Sequence, residues 1–128
     1  MDHIARTLNA KPRALTHEFP VNYALYKNGR LITLVEVKCR RTAMWQFPTL
    51  IMSTRKLDRA YELAERSGVP LMVVTKWADN LGYLRVRDPY RYPVKTGGRT
   101  DRGDEQDIEA LYDIPIGKFK LFPERAHG

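Results

Sequence analysis

Apolar and polar positions along the chain mark out a succession of elements before any chemistry is considered. Ile4, Ala5 and Leu8 make a narrow apolar stripe at helical spacing, which predicts a short helix over residues 2–10 with Asp2 as its N-cap. Lys11-Pro12-Arg13 ends it, because proline disfavours helical geometry in the residue before it. Val21 to Tyr26 reads as a strand, Lys27-Asn28-Gly29 as a turn and Leu31 to Cys39 as a second strand. That second strand is apolar on both parities, with Ile32 and Leu34 on one and Leu31, Val35 and Val37 on the other. Such a strand is expected at the centre of a sheet, covered on both faces.

A connection from Arg40 to Ile51, containing Trp45, Phe47 and Pro48, leads to a helix predicted from Ser53 to Ser67. Leu57, Ala60, Tyr61 and Ala64 fall on one face of it, and Gly68 is placed to cap its C-terminus. Leu71 to Thr75 is a short apolar run bounded by turn signals, the mark of a buried strand. Asp79-Asn80-Leu81-Gly82 turns into a further strand, Tyr83 to Arg87. Residues 88–106, rich in Pro, Gly, Arg and Asp, predict an extended loop; Asp107 to Tyr112 suggests a helical turn, and Lys118 to Phe122 an edge strand. A helix crossing between two apolar strands is a βαβ unit, so Leu31–Cys39 and Leu71–Thr75 are expected to be parallel neighbours. The sum is an α/β fold: a mixed sheet with flanking helices, as one domain over residues 1–128 without internal repeats.

Composition narrows the class of function. At 128 residues, 43% hydrophobic and 29% charged, the chain suits one soluble domain. Its longest uncharged apolar stretches, Leu31–Val35 and Val69–Thr75, are far below membrane-spanning length, and no charged-then-apolar signal segment opens it. Cys39 is the one cysteine, which excludes an internal disulfide and a multi-cysteine zinc site and makes a reducing cytoplasm the expected setting. Twenty-two Lys and Arg against fifteen acids give a net charge of +7, which favours a polyanionic partner, although a charge kept for solubility explains the count equally well.

The chemistry concentrates in Glu36-Val37-Lys38. Two residues apart on a strand, Glu36 and Lys38 leave the same face, where a carboxylate and an ammonium are costly to desolvate without partners. A salt bridge at the strand's open end is the plain alternative. With the triplet in this succession of elements, the chain resembles the PD-(D/E)xK nuclease superfamily. More closely, "VNYALYKNGRLITLVEVKCRR", "STRKLDRAYELAERSGVP" and "GGRTDRGDEQDIEALYDIPIGKFKLF" resemble small phage-encoded nuclease-fold proteins, over roughly residues 17–122. The resemblance implies a restriction-endonuclease-like fold and a Mg2+- or Mn2+-dependent endonuclease acting on DNA in the cytoplasm of a bacterial host. It also implies roles: Glu36 as carboxylate ligand, the Val37 carbonyl as a further ligand, and Lys38 orienting water or stabilising charge.

One position departs from the pattern. Asn22 stands where the resemblance calls for a metal-binding aspartate, and an amide brings no charge to a hard cation. Three readings stay open: an engineered inactivating change, a naturally degenerate site, or an ordinary strand asparagine whose counterpart lies elsewhere. Glu18 is the nearest substitute acid, and the acidic residue usual on the superfamily's first helix has no clear match. If the site has been lost, the alternative is a DNA-binding module, or a phage structural protein, that keeps the fold. Register offers a test. A two-residue Asn28-Gly29 turn sets Asn22 opposite Val35, away from Glu36; a three-residue turn with a bulge at Gly29 sets it opposite Leu34, on the Glu36 face.

Further candidates are basic. With Ser53 as N-cap, Arg55 and Lys56 occupy a helix's first turn, where cations oppose the macrodipole unless an anion is near. Lys56 is therefore a candidate for the scissile phosphate, against a solvated lysine on a helix starting near Pro48. Arg40, Arg41, Lys27, Arg30 and Arg55 are candidates for a phosphate-tracking rim. Trp45 and Phe47 are expected in the core or at an interface rather than as base-stacking platforms, and Cys39 as a buried apolar residue. The acids Asp101, Asp104, Glu105, Asp107 and Glu109 read as a solvated loop and helix start. His3, His17 and His127 have no zinc spacing, and no P-loop or G-x-S-x-G motif occurs. Double-strand cutting often needs two sites, which makes a homodimer an expectation from symmetry alone.

Overall fold

A computed structural model describes residues 1–98 and 108–122. Among these residues two sheets carry the fold. The larger has six strands in the order β1 (Lys11–Ala14), β2 (Tyr23–Lys27), β3 (Arg30–Cys39), β5 (Leu71–Lys76), β6 (Leu81–Val86) and β9 (Lys120–Leu121). The smaller has β4 (Thr49–Ser53), β8 (Ile108–Pro115) and β7 (Val94–Gly98). Helix α1 spans Asp2–Thr7 and α2 spans Thr54–Ser67.

β3 is central as its two apolar parities require. It pairs antiparallel with β2 and parallel with β5, so the expected βαβ relation holds across α2. Alternation divides the large sheet's contacts into two cores. Ala24, Leu34, Leu71 and Val73 face Leu57, Ala60 and Ala64 of α2 together with Leu50, Tyr112 and Ile114 of the small sheet. Leu25, Val35 and Val74 face Ile4 and Ala5 of α1 and Phe122. Ser53 caps α2 by accepting from the Lys56 backbone N–H at 3.4 Å, and Gly68 ends it at φ 70, a left-handed conformation suited to glycine. The Tyr112 hydroxyl, buried and bonded to the Asp58 carboxylate, fastens the helix to β8.

Several expectations are corrected. α1 begins at Asp2, so that residue lies inside the helix rather than capping it, and Lys11-Pro12-Arg13 continues as edge strand β1, where proline's missing donor faces away from the ladder. The connection 40–51 contains β4; the loop 88–106 contains a helical turn at Pro89–Arg91 and β7. Residues 108–112 are strand, not helical turn, because β8 is paired on both sides, to β4 and β7. Asp101, Asp104, Glu105 and Asp107 lie outside the described residues. Cys39 is exposed, since it ends β3 past the cover that buries the strand's middle. Among the described residues no helix is long and apolar enough to cross a membrane.

Candidate active site

The register of the β2–β3 hairpin decides which side chains meet. The turn has two residues, Asn28 and Gly29, both at positive φ (52 and 75), closed by Lys27 opposite Arg30. Alone, this turn would put Asn22 opposite Val35. A bulge intervenes: Tyr26 pairs with Leu31 but Leu25 pairs with Thr33, leaving Ile32 extra on β3. Beyond it Ala24 faces Leu34 and Tyr23 faces Val35. Continuing one step brings Asn22 beside Glu36, on the α2 face of the sheet. The bulge thus lies in the strand rather than the turn, and shifts Asn22 to Glu36 rather than to Leu34.

Asn22 clips the end of β2 to β3. Its backbone N–H donates to the Val35 carbonyl at 3.0 Å, and its Oδ1 accepts from the Val37 backbone N–H at 2.6 Å. The side chain stands in for the backbone carbonyl that a continuing strand would supply. An N–H can pair only with the amide's oxygen, so the remaining terminal atom, Nδ2, is a donor. N–H and C=O of one strand residue leave the same edge; the Val37 carbonyl therefore also faces this side.

Asn22 and Glu36 line a cleft of about 600 Å3 with Glu18 and with Lys56, Arg59, Glu62 and Arg66 of α2. The α2 residues recur at intervals of three or four, so they form one polar stripe on the helix. Arg59, Glu62 and Arg66 were not singled out from sequence. The signal was present in that spacing, on the face opposite the apolar stripe, where polar residues read as solvated.

Burial holds the Glu36 carboxyl above the ordinary carboxylate range, against the opposing pull of Lys38, the Val37 N–H and Lys56. The three groups of Glu36, Lys38 and Lys56 thus act on one another across strand and helix. A raised folded-state pKa means that the native chain holds its proton more tightly than the unfolded one. Its stability contribution is full below the unfolded value, near pH 4, and is lost as pH rises through the folded value. Glu36→Gln is accordingly expected to match the parent in Tm near pH 4 and to become relatively more stable toward pH 8. Thermal melts across that range check this, and a difference that stays flat or changes sign would mean that the lysines outweigh burial.

Not every basic candidate joins the cleft. Lys27 and Arg30 flank the hairpin turn, six residues or more of extended chain from Glu36, or about 20 Å. Arg55 is exposed on α2 and does not line the cleft. Arg40 and Arg41 line a neighbouring cavity beyond the end of β3. At the α2 N-terminus the Ser53 hydroxyl donates to the Glu109 carboxylate at 3.0 Å, so a protein carboxylate already offsets the first-turn cations there. No group of three or more His, Cys, Asp or Glu placed to hold a metal occurs among the described residues.

This geometry can be set beside known proteins. The model of the family described as "Phage putative PDDEXK endonuclease" matches residues 3–122. The chain belongs to this phage PDDEXK endonuclease family. Among solved structures, the PDDEXK chain resembles Hjc of Archaeoglobus fulgidus, a Holliday junction resolvase from an archaeal hyperthermophile. The TM-score is 0.52 at 15% identity, over 66% of this chain and 71% of that one. At that identity the likeness shows a shared fold, the restriction-endonuclease-like mixed sheet anticipated from the sequence. No curated protein matches the PDDEXK chain.

Proposed function

We propose that this PDDEXK chain is a DNA endonuclease whose active site is the cleft between β3 and α2, with a metal site weakened by Asn22. The observation that carries the reading is the convergence of Asn22 and Glu36 with Lys56 in one cleft, with Lys38 and Lys56 both acting on the Glu36 carboxylate. Family membership supports nuclease chemistry.

The donors present fit a divalent cation weakly: one carboxylate on Glu36, the Val37 carbonyl on the same edge, and an amide oxygen already bonded to the Val37 N–H. Glu36 and Val37 would hold magnesium or manganese, with Asn22 as a poor third ligand. When bound, the ion supplies Lewis acidity toward the phosphate and lowers the pKa of its water. Lys38 adds positive charge beside Glu36, where charge develops on the phosphate in the transition state. Lys56 steadies the scissile phosphate, while Arg59 and Arg66, continuing the stripe over about 15 Å of helix, position the backbone. Arg40 and Arg41 extend that track past the end of β3; Lys27, Arg30 and Arg55 contact duplex only where it runs beyond the cleft.

The engaged Asn22 oxygen also favours a second reading, a module that binds DNA on the same cleft without cutting it. Plasmid cleavage at graded magnesium and manganese, with the chain as it stands beside Asn22→Asp, separates the two. Cutting restored by aspartate supports the nuclease. Salt-dependent DNA binding by both chains with cutting by neither supports the module. Failure to bind DNA at all rejects both.

A further inference from the structure

The loop between β3 and β4, residues 40–48, is tied down yet displays two aromatic rings. The Arg40 N–H donates to the Lys76 carbonyl at 2.8 Å, the Ala78 N–H to the Thr42 carbonyl at 3.0 Å and the Ile116 N–H to the Pro48 carbonyl at 3.0 Å. The Met44 N–H donates to the Asp79 carboxylate at 2.8 Å, and the Met44 side chain is buried in the main core. Beside these anchors Trp45 is 66% exposed and Phe47 55%, whereas Trp77 is only 4% exposed. Apolar surface left in water forfeits about 25 cal/mol per Å2. Two large rings exposed two residues apart on a pinned loop mark a surface for a partner.

Charge identifies the partner. Arg40, Arg41 and Lys95 line a cavity of about 450 Å3 together with Phe47. Among the described residues the one acid in its wall, Asp113, is taken up by Lys95 at 3.5 Å and by the Thr49 hydroxyl. Cations beside exposed rings suit unpaired nucleotides, whose phosphates meet the cations while each base offers a flat face to a ring. A paired duplex hides those faces within its stack and could use only the cations. The loop also begins near the cleft, since Arg40 follows Glu36, the β3 residue of the cleft wall, by four residues, about 13 Å of extended chain.

We infer that Trp45 and Phe47, with Arg40 and Arg41, form a stacking site for unpaired DNA bases, directing the cleft to DNA in which a single strand adjoins a duplex. This deepens the nuclease reading of the cleft and rests on it. The test is binding of the full chain to oligothymidylate, blunt duplex and single-strand-tailed duplex, read by anisotropy and by tryptophan emission. Oligothymidylate is expected to quench emission, because Trp45 is the exposed one of the chain's two tryptophans. Trp45→Ala and Phe47→Ala are each expected to weaken tailed-duplex binding by about 10-fold or more. Blunt-duplex binding and Tm stay unchanged, and Trp45→Phe keeps most of the tailed-duplex affinity.

Equal losses on blunt and tailed DNA would overturn the inference, as would no loss on either or an absent quench at low salt. Self-association of the chain abolished by Trp45→Ala, without any oligothymidylate binding, would assign the loop to a second copy instead. These readouts need no cleavage. Should Asn22→Asp cut nothing while the tail preference persists, the nuclease reading fails and the stacking site stands; cutting without any tail preference gives the reverse.

Discussion

Asn22→Asp is expected to raise magnesium affinity by about 10- to 100-fold, the range that metal sites lose when a supporting group is removed. The parent Oδ1 is held by the Val37 N–H. An aspartate keeps that bond with one oxygen and frees the other, where the amide has only a donor. Two unit charges about 4 Å apart at an effective dielectric of about 20 interact by about 4 kcal/mol, and each ~1.4 kcal/mol is tenfold in affinity. Desolvation of the new carboxylate therefore leaves room for the expected gain. Without metal, the second carboxylate beside Glu36 repels the first and pushes its pKa up further. The variant should thus melt lower than the parent in chelator and gain more Tm from magnesium. Calorimetric titration and paired melts check both; equal magnesium response in the two chains would remove residue 22 from the site.

Lys38→Ala in the Asn22→Asp background should lower the cleavage rate by about 10²- to 10³-fold, the cost of deleting one preorganised charge from a transition state. Lys38 is also first among the groups that hold down the Glu36 pKa. Its loss should move the acid limb of the pH–rate profile to higher pH, a change that a purely structural lysine would not produce. Glu36→Ala should abolish cutting while the fold persists, because Glu36 lies at the cleft rather than in either core. Single-turnover rates on plasmid between pH 5 and 9, with circular dichroism as the fold control, decide the matter. An unchanged rate without Lys38 would return the pair to the role of a surface salt bridge.

The parts of the fold legible in the sequence are those fixed by local pattern. β3 announces itself by two apolar parities, α2 by a stripe bounded by Ser53 and Gly68, and β5 by a short apolar run. The small sheet was hidden because its strands depend on distant partners: Glu109-Ala110-Leu111 at the start of β8 suits a helix as well as a strand, and pairing with β4 and β7 makes it extended. The same non-locality governs the candidate site. The Glu36-Val37-Lys38 triplet could be found by spacing, and Asn22 by its neighbours. Whether the two share a face turned on Ile32, a residue that sequence gives no reason to leave unpaired. The α2 stripe of Arg59, Glu62 and Arg66 needed the opposing wall before its polar spacing meant anything. Cys39 is exposed rather than buried, and Trp45 and Phe47 lie outside the core, because exposure is set by where cover ends, which hydrophobicity alone does not reveal.

The unpaired Ile32 has a practical consequence for anyone handling this protein. It separates the hairpin into two independent frames, with the tip on one side and the cleft on the other. Beyond the bulge, alignment is fixed from β5's approach, where the Leu34 N–H and the Thr33 hydroxyl both donate to the Pro70 carbonyl. The Asn28–Gly29 tip, about 20 Å from Glu36, can therefore be lengthened, tagged or labelled with a dye while the cleft keeps its alignment. That makes it a natural mooring point for surface attachment or distance measurements on bound DNA.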